Sequence, residues 1–153
     1  MKLFVDMDGV LADFNVHYNS MFGVMPDRKL DNVDWALLRK TADFYAGIPP
    51  MADIDVLWKG IESYKPTILT GLPWSVLGAE ANKRDWVKKN LGSHVEVICC
   101  PSSEKYLRAT PGDILIDDWE KYRSKWELAG GYWITHVSAK QTIFQLECYT
   151  MGF

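Results

Sequence analysis

Short apolar runs recur along the chain, and most of them stop at polar residues or at glycine and proline. Leu3-Phe4-Val5 ends at Asp6 and Asp8, Thr67-Ile68-Leu69-Thr70 at Gly71-Leu72-Pro73, and Ile114-Leu115-Ile116 at Asp117 and Asp118. Val95-Glu96-Val97-Ile98 and the run from Tyr132 to Val137 complete the set. Runs this short, bounded by breakers, predict buried strands. Between them the spacing changes. From Ala79 to Leu91 the residues Trp86, Val87 and Leu91 can share one face, and Gly92 stops the segment, so an amphipathic helix is expected. There Lys83, Arg84, Lys88 and Lys89 read as a solvated face. A second helix is expected from Glu120 to Leu128 before Gly130-Gly131, and a last one around Thr142 to Glu147 with Ser138 as its cap.

Residues 12–59 follow neither pattern. Aromatics and charges are mixed there, with Pro26, Pro49 and Pro50 and no clear strand. This segment reads as helices and loops forming a lid or cap. Strands that alternate with helices elsewhere predict βαβ units and a parallel sheet, in one domain.

In an open α/β sheet, ligands bind beyond the carboxyl ends of the strands. The first expected strand delivers Asp6 and Asp8 to that end, the second Thr70, and the fourth Asp117 and Asp118. Like charges gathered at one place repel, so a divalent cation is expected to compensate them. Oxygen donors without a suitable His or Cys set favour magnesium over zinc. A calcium loop at Asp6 and Asp8 is disfavoured by the apolar strand before it and by Val10 where a third ligand would stand. Asp117-Asp118 taken alone would read as the acidic start of a helix.

Composition narrows the choice of partners. Of 153 residues, 48% are hydrophobic and 24% charged, with a net charge of −3, which permits a core and gives no general attraction to nucleic acid or anionic membrane. A phosphate-bearing ligand must then be captured by placed groups. Three cysteines, two of them adjacent, suit neither a disulfide framework nor a zinc site, and the three histidines lack ligand spacing. The early aspartates interrupt the N-terminal apolar run, so neither signal peptide nor membrane span is expected, and the protein is expected to be cytoplasmic. A homodimer is compatible with the sequence, which does not fix the oligomeric state.

The run Phe4-Val5-Asp6-Met7-Asp8-Gly9-Val10-Leu11-Ala12-Asp13-Phe14 resembles the first motif of the haloacid dehalogenase (HAD) phosphohydrolase superfamily. Leu69-Thr70-Gly71 looks like its second motif, Lys105 like its third-motif lysine, and Leu115-Ile116-Asp117-Asp118 like its fourth, all in order along the chain. Arg108, Lys83 and Lys88 compete with Lys105 for the third. The resemblance implies a three-layer, Rossmann-like α/β fold with a small helical cap, approximately residues 15–60, inserted after the first strand. It implies that Asp6 is a nucleophile forming an aspartyl phosphate and Asp8 a general acid and base. Mg²⁺ would be held by Asp6, Asp8, Asp117 and Asp118, and the phosphoryl oxygens by Thr70, Gly71 and Lys105. Within the superfamily the first motif, the cap placement and the stretch from Lys83 to Gly92 are most similar to the 5′(3′)-deoxyribonucleotidases. The implied substrate is a (deoxy)nucleoside monophosphate, its base packed on Phe14, Trp35 and Phe44 or Tyr45. Another small phosphate monoester or a nucleic-acid 3′-phosphate is an alternative substrate, although the acidic charge disfavours polynucleotides. A non-catalytic nucleotide-binding module is a further alternative.

Overall fold

The computed structural model describes residues 1–152. Its centre is a five-stranded, wholly parallel sheet in the order β3-β2-β1-β4-β5. The strands are β1 (Leu3–Val5), β2 (Thr67–Gly71), β3 (Val97–Cys100), β4 (Ile114–Asp117) and β5 (Tyr132–Thr135). β3 lies two residues later than its apolar run suggests, because its register with β2 sets Gly71 opposite Cys100 and Pro101 ends it. The chain order reverses at β1, which is flanked by β2 and β4. That is a switch point, where a crevice opens beyond the strand ends.

Period two divides the side chains between the faces of the sheet. Leu3, Val5, Ile68, Ile114, Ile116 and Ile134 belong to the larger apolar cluster. Phe4, Leu69, Leu115 and Trp133 belong to a smaller one that includes Trp126. Helices α3 (Ile54–Ile61), α4 (Ala79–Asn90) and α6 (Ala139–Met151) contribute buried residues to the first cluster, and α5 (Arg123–Leu128) places Trp126 in the second. Burial on both faces explains why these strands read as continuous apolar runs. The expected Glu120–Leu128 helix divides into a 3₁₀ turn, Glu120–Tyr122, and α5. The expected last helix is longer than its core pattern, with the Ser138 hydroxyl accepting the Gln141 N–H at 3.3 Å.

The insertion after β1 carries α1 (Phe14–Phe22), α2 (Trp35–Arg39) and a 3₁₀ turn at Tyr45–Gly47. An antiparallel bridge between Ala12 and Pro50 closes its neck, reinforced by the Asp13 N–H donating to Pro49 O at 2.8 Å and the Met51 N–H to Leu11 O at 2.8 Å. The bridged neck lies at Ala12 and Pro50, and α3, which follows it, packs on α6. The cap's interior is aromatic: Phe14, Tyr18, Phe22, Phe44 and Tyr45 meet with ring centroids 4.8–6.4 Å apart. Among the described residues, no helix is long and apolar enough to cross a membrane.

Candidate active site

Parallel pairing of β1 with β4 sets Val5 opposite Ile116, so the residues that follow both strands emerge side by side. The Asp6 N–H continues the ladder to Ile116 O at 2.9 Å. One carboxylate oxygen from each of Asp6, Asp117 and Asp118 falls within a cluster no wider than 4.8 Å. Burial, reinforced by the nearby Asp6 charge, pushes Asp117 up to about 6 and Asp118 up to about 7. Asp117 is oriented by the Trp119 N–H, which donates to its Oδ1 at 2.9 Å. Gly9, at φ +83°, runs its backbone against Asp118, where a Cβ would overlap the carboxylate. Asp8 and Asp118 each keep a buried Oδ1 that meets no hydrogen-bond donor among the described residues.

Two buried lysines face these carboxylates. Lys105 stands in the 3₁₀ segment Ser102–Arg108 after β3. Its Nζ lies 2.9 Å from Asp6 Oδ1 and donates to Asp117 Oδ2 at 2.8 Å. Burial by itself would lower its pKa, but the Asp6 and Asp117 charges raise it above the ordinary lysine value. Lys83 corrects the solvated-face reading of α4, being only 1% exposed. Its ammonium donates to Asp8 Oδ2 at 2.8 Å, to Thr70 Oγ1 at 3.0 Å and to Gly71 O at 2.7 Å, and lies 4.7 Å from the centre of the Tyr45 ring. Three acceptors satisfy the three donors of an ammonium, which is the condition for burying one. The signal was present in the sequence. Ala79, Lys83, Trp86 and Val87 recur at helical spacing on the one buried stripe of α4, so Lys83 interrupts an apolar face.

Thr70 and Gly71 divide the roles expected of them. Thr70 is fully buried behind Lys83 and does not line the cavity, whereas Gly71 forms part of its wall. A Cβ at Gly71 would overlap the Ser102 hydroxyl, and Ser102 also lines the cavity.

The cavity above these groups has a volume of about 880 Å³ and is shared between sheet and cap. Phe14, Trp35 and Tyr45 line it, Trp35 being the most exposed of the three at 41%. Phe44 does not. It is 2% exposed, held among Phe14, His17, Tyr18, Phe22 and Tyr45, and is a core ring of the cap rather than a contact for substrate. Trp119 also lines the cavity, with the Arg28 guanidinium 4.7 Å above its ring. Arg28 Nη1 also reaches Asp118 Oδ2 at 3.1 Å, tying the cap to the carboxylate cluster. Sequence reasoning assigned nothing to Arg28 or Trp119. Arg28 lies in a polar cap loop without periodicity, and only the docking of the cap brings it near Asp118.

No family model matches the chain, and no curated protein matches it. Solved structures do. The structure of L-2-haloacid dehalogenase from Xanthobacter autotrophicus superposes with a TM-score of 0.50 at 12% identity, covering 86% of this chain and 75% of that one. The structure of the same enzyme with chloropropionic acid covalently bound superposes with a TM-score of 0.53 at 13% identity, covering 97% of this chain and 82% of that one. At such identities the likeness concerns the fold, and the chain shares with that enzyme a Rossmann-like α/β architecture around a parallel sheet.

Proposed function

We propose that this chain is a divalent-cation-dependent phosphomonoester hydrolase, acting through an aspartyl phosphate on Asp6, with nucleoside monophosphates as the first substrates to consider. One observation carries the reading. The carboxylates of Asp6, Asp117 and Asp118 converge within 4.8 Å at a strand switch point, beside Asp8 and two buried lysines.

The donor set fits Mg²⁺. It is all oxygen, and the Asp118 Oδ1 that meets no donor supplies a free ligand atom within it. A bound cation would neutralise the cluster and polarise a phosphoryl oxygen. The other roles belong to side chains. An Asp6 oxygen attacks phosphorus, the O–P bond to the substrate alkoxide breaks, and Asp8 in its acid form gives that alkoxide a proton. Asp8, now a carboxylate, takes a proton from a water whose oxygen attacks the same phosphorus. The bond to Asp6 breaks and inorganic phosphate leaves. Lys105, already 2.9 Å from Asp6, offsets charge as it shifts onto the phosphoryl oxygens. Lys83 holds Asp8 in place from behind through its 2.8 Å contact.

A cavity of about 880 Å³ lies within the common range for small-molecule sites, roughly 300–1,000 Å³. Phe14, Trp35, Tyr45 and Trp119 offer flat apolar surface to a base. The relative that carries chloropropionic acid covalently bound supports covalent chemistry on this fold and makes 2-chloropropionate a necessary control.

The test is phosphate release from nucleoside monophosphates, sugar phosphates and 3′-phosphorylated oligonucleotides, with and without Mg²⁺, alongside halide release from 2-chloropropionate. Mg²⁺-dependent phosphate release that Asp6→Asn abolishes is the expected result. Release that persists in Asp6→Asn, or halide release without phosphate release, would overturn the reading.

A further inference from the structure

The ion pair between Arg28 and Asp118 engages one oxygen of a carboxylate that the proposed chemistry assigns to a cation. Arg28 belongs to the cap, 90 residues from Asp118 in sequence, and its position is fixed from both sides. The surrounding loop is tied by its own side chains: Asp27 Oδ1 accepts the N–H of Lys29 at 2.7 Å and of Leu30 at 3.2 Å. Asn32 accepts the Asp27 N–H at 2.7 Å and donates to Met25 O at 3.1 Å. The guanidinium itself lies against the Trp119 ring at 4.7 Å. Such a group is presented to the site rather than left to wander in solvent.

The local charges give it a purpose. With every carboxyl ionised, Asp6, Asp8, Asp117 and Asp118 face Lys83, Lys105 and Arg28, and the centre is one positive charge short of neutrality. A divalent cation turns that balance to one positive, which suits a phosphate dianion. It also changes the partners. Arg28 holds Asp118 Oδ2 and leaves Oδ1 to a cation; two positive charges on one carboxylate repel each other, so each weakens the other's hold on Asp118.

We propose that Arg28 guards Asp118 in the cation-free protein and becomes a substrate-binding residue once a cation has taken that carboxylate. The inference rests on the phosphatase reading and adds an order of events to it. The freed guanidinium keeps its seat on Trp119, and the nearest anion left to it is the phosphoryl group at the cluster. The planar fork of arginine matches phosphate oxygens, which a lysine in its place would not do equally well. Cation binding and phosphate capture are thereby coupled through one side chain, and coupling of this kind is reciprocal.

The test uses Arg28→Ala and Arg28→Lys, at a residue whose side chain is 49% exposed, with melting curves to verify that both fold. Calorimetric titration with Mg²⁺ alone should show tighter binding to Arg28→Ala than to wild type, by about fivefold or more, because the competitor is gone. At saturating Mg²⁺, inorganic phosphate should bind Arg28→Ala at least about tenfold more weakly, and Arg28→Lys should recover only part of the loss. Unchanged or weaker Mg²⁺ binding by Arg28→Ala overturns the proposal, and so does unchanged phosphate affinity. Wild type that binds Mg²⁺ and phosphate as described, yet releases phosphate from no monoester, would sink the phosphatase reading and leave the Arg28 coupling standing.

Discussion

Lys83 and Asp8, 75 residues apart in the chain, meet at 2.8 Å on the floor of the cavity. The contact joins α4 to the loop after β1 and fixes the carboxylate that the proposed mechanism uses twice. Lys83→Met would strip Asp8, Thr70 and Gly71 of a shared donor in a nearly dry place. The expected loss of stability is about 3 kcal/mol, since breaking a buried pair leaves an uncompensated charge. Lys88→Met, on the exposed face of the same helix, should change stability by no more than about 0.5 kcal/mol. Urea denaturation of both variants checks the contrast.

Asp8→Asn retains the shape of the side chain and removes its acid and base function. Phosphate release should fall by about 10²–10⁴-fold. Asp6→Asn should leave no measurable release at all. Mass spectrometry of the quenched reaction adds an independent readout, because Asp8→Asn with a good leaving group should accumulate a phosphate adduct on the Asp6 peptide. Absence of that adduct, with full activity in Asp8→Asn, would refute the assignment.

The carboxylate cluster makes stability depend on pH and on cations. Burial and the Asp6 charge raise Asp117 to about 6 and Asp118 to about 7 in the folded chain. A raised folded pKa means that the folded state holds protons the unfolded state has lost. The associated stability is present below the ordinary carboxylate value near 4 and is lost as pH rises through about 6 to 7. Without divalent cations, this contribution should lower the melting temperature between about pH 4 and pH 7. Mg²⁺ at 100 times its dissociation constant should restore about 2.7 kcal/mol near neutral pH. Differential scanning fluorimetry across pH, with and without Mg²⁺, measures both effects.

Asp113 has the opposite sign and no part in the site. It accepts the Lys2 N–H at 2.7 Å, the Thr110 N–H at 3.0 Å and the Thr110 hydroxyl at 2.7 Å, pinning the start of β4 to the N-terminus. Burial would raise its pKa, but the Thr110 and Lys2 hydrogen bonds outweigh it and hold the carboxyl below its ordinary value. Its stabilisation is therefore present above that ordinary value and is lost as pH falls through the depressed one. Asp113→Ala should cost about 2–3 kcal/mol at neutral pH, with phosphate release per folded molecule unchanged. Melting curves and a specific-activity measurement on the same sample test it.

Phe44 and Trp35 separate packing from recognition. Phe44→Ala should destabilise the chain by about 3–5 kcal/mol, because a buried ring is lost from the centre of the cap. Trp35→Ala, at a residue 41% exposed on the cavity wall, should leave stability nearly unchanged and raise KM for an aromatic substrate. A nucleotide and a small aliphatic phosphate compared on the Trp35 variant would show whether the ring meets a base.

The strand order came from the tertiary structure, whereas short apolar runs ended by Asp6, Thr70 and Asp117 determined the strands, their parallel arrangement and the convergence of carboxylates. Those are local patterns, and strands buried on both faces write them almost without interruption. The stripe Ala79, Lys83, Trp86, Val87 also marks Lys83 as buried, since it falls on the apolar face despite its charge. Other features belong to no local pattern. Phe44 and Tyr45 are adjacent, yet one packs into the cap and the other reaches the cavity, since a 3₁₀ turn aims them apart. The neck of the insertion depends on Ala12 pairing with Pro50, and α3 is placed by packing on α6. Arg28 meets Asp118 and Trp119 only once the cap is seated on the sheet. Sequence periodicity reports which face of an element is buried. Contacts between elements distant in the chain are chosen by packing and charge in three dimensions, and for this protein they decide which side chains surround the carboxylates.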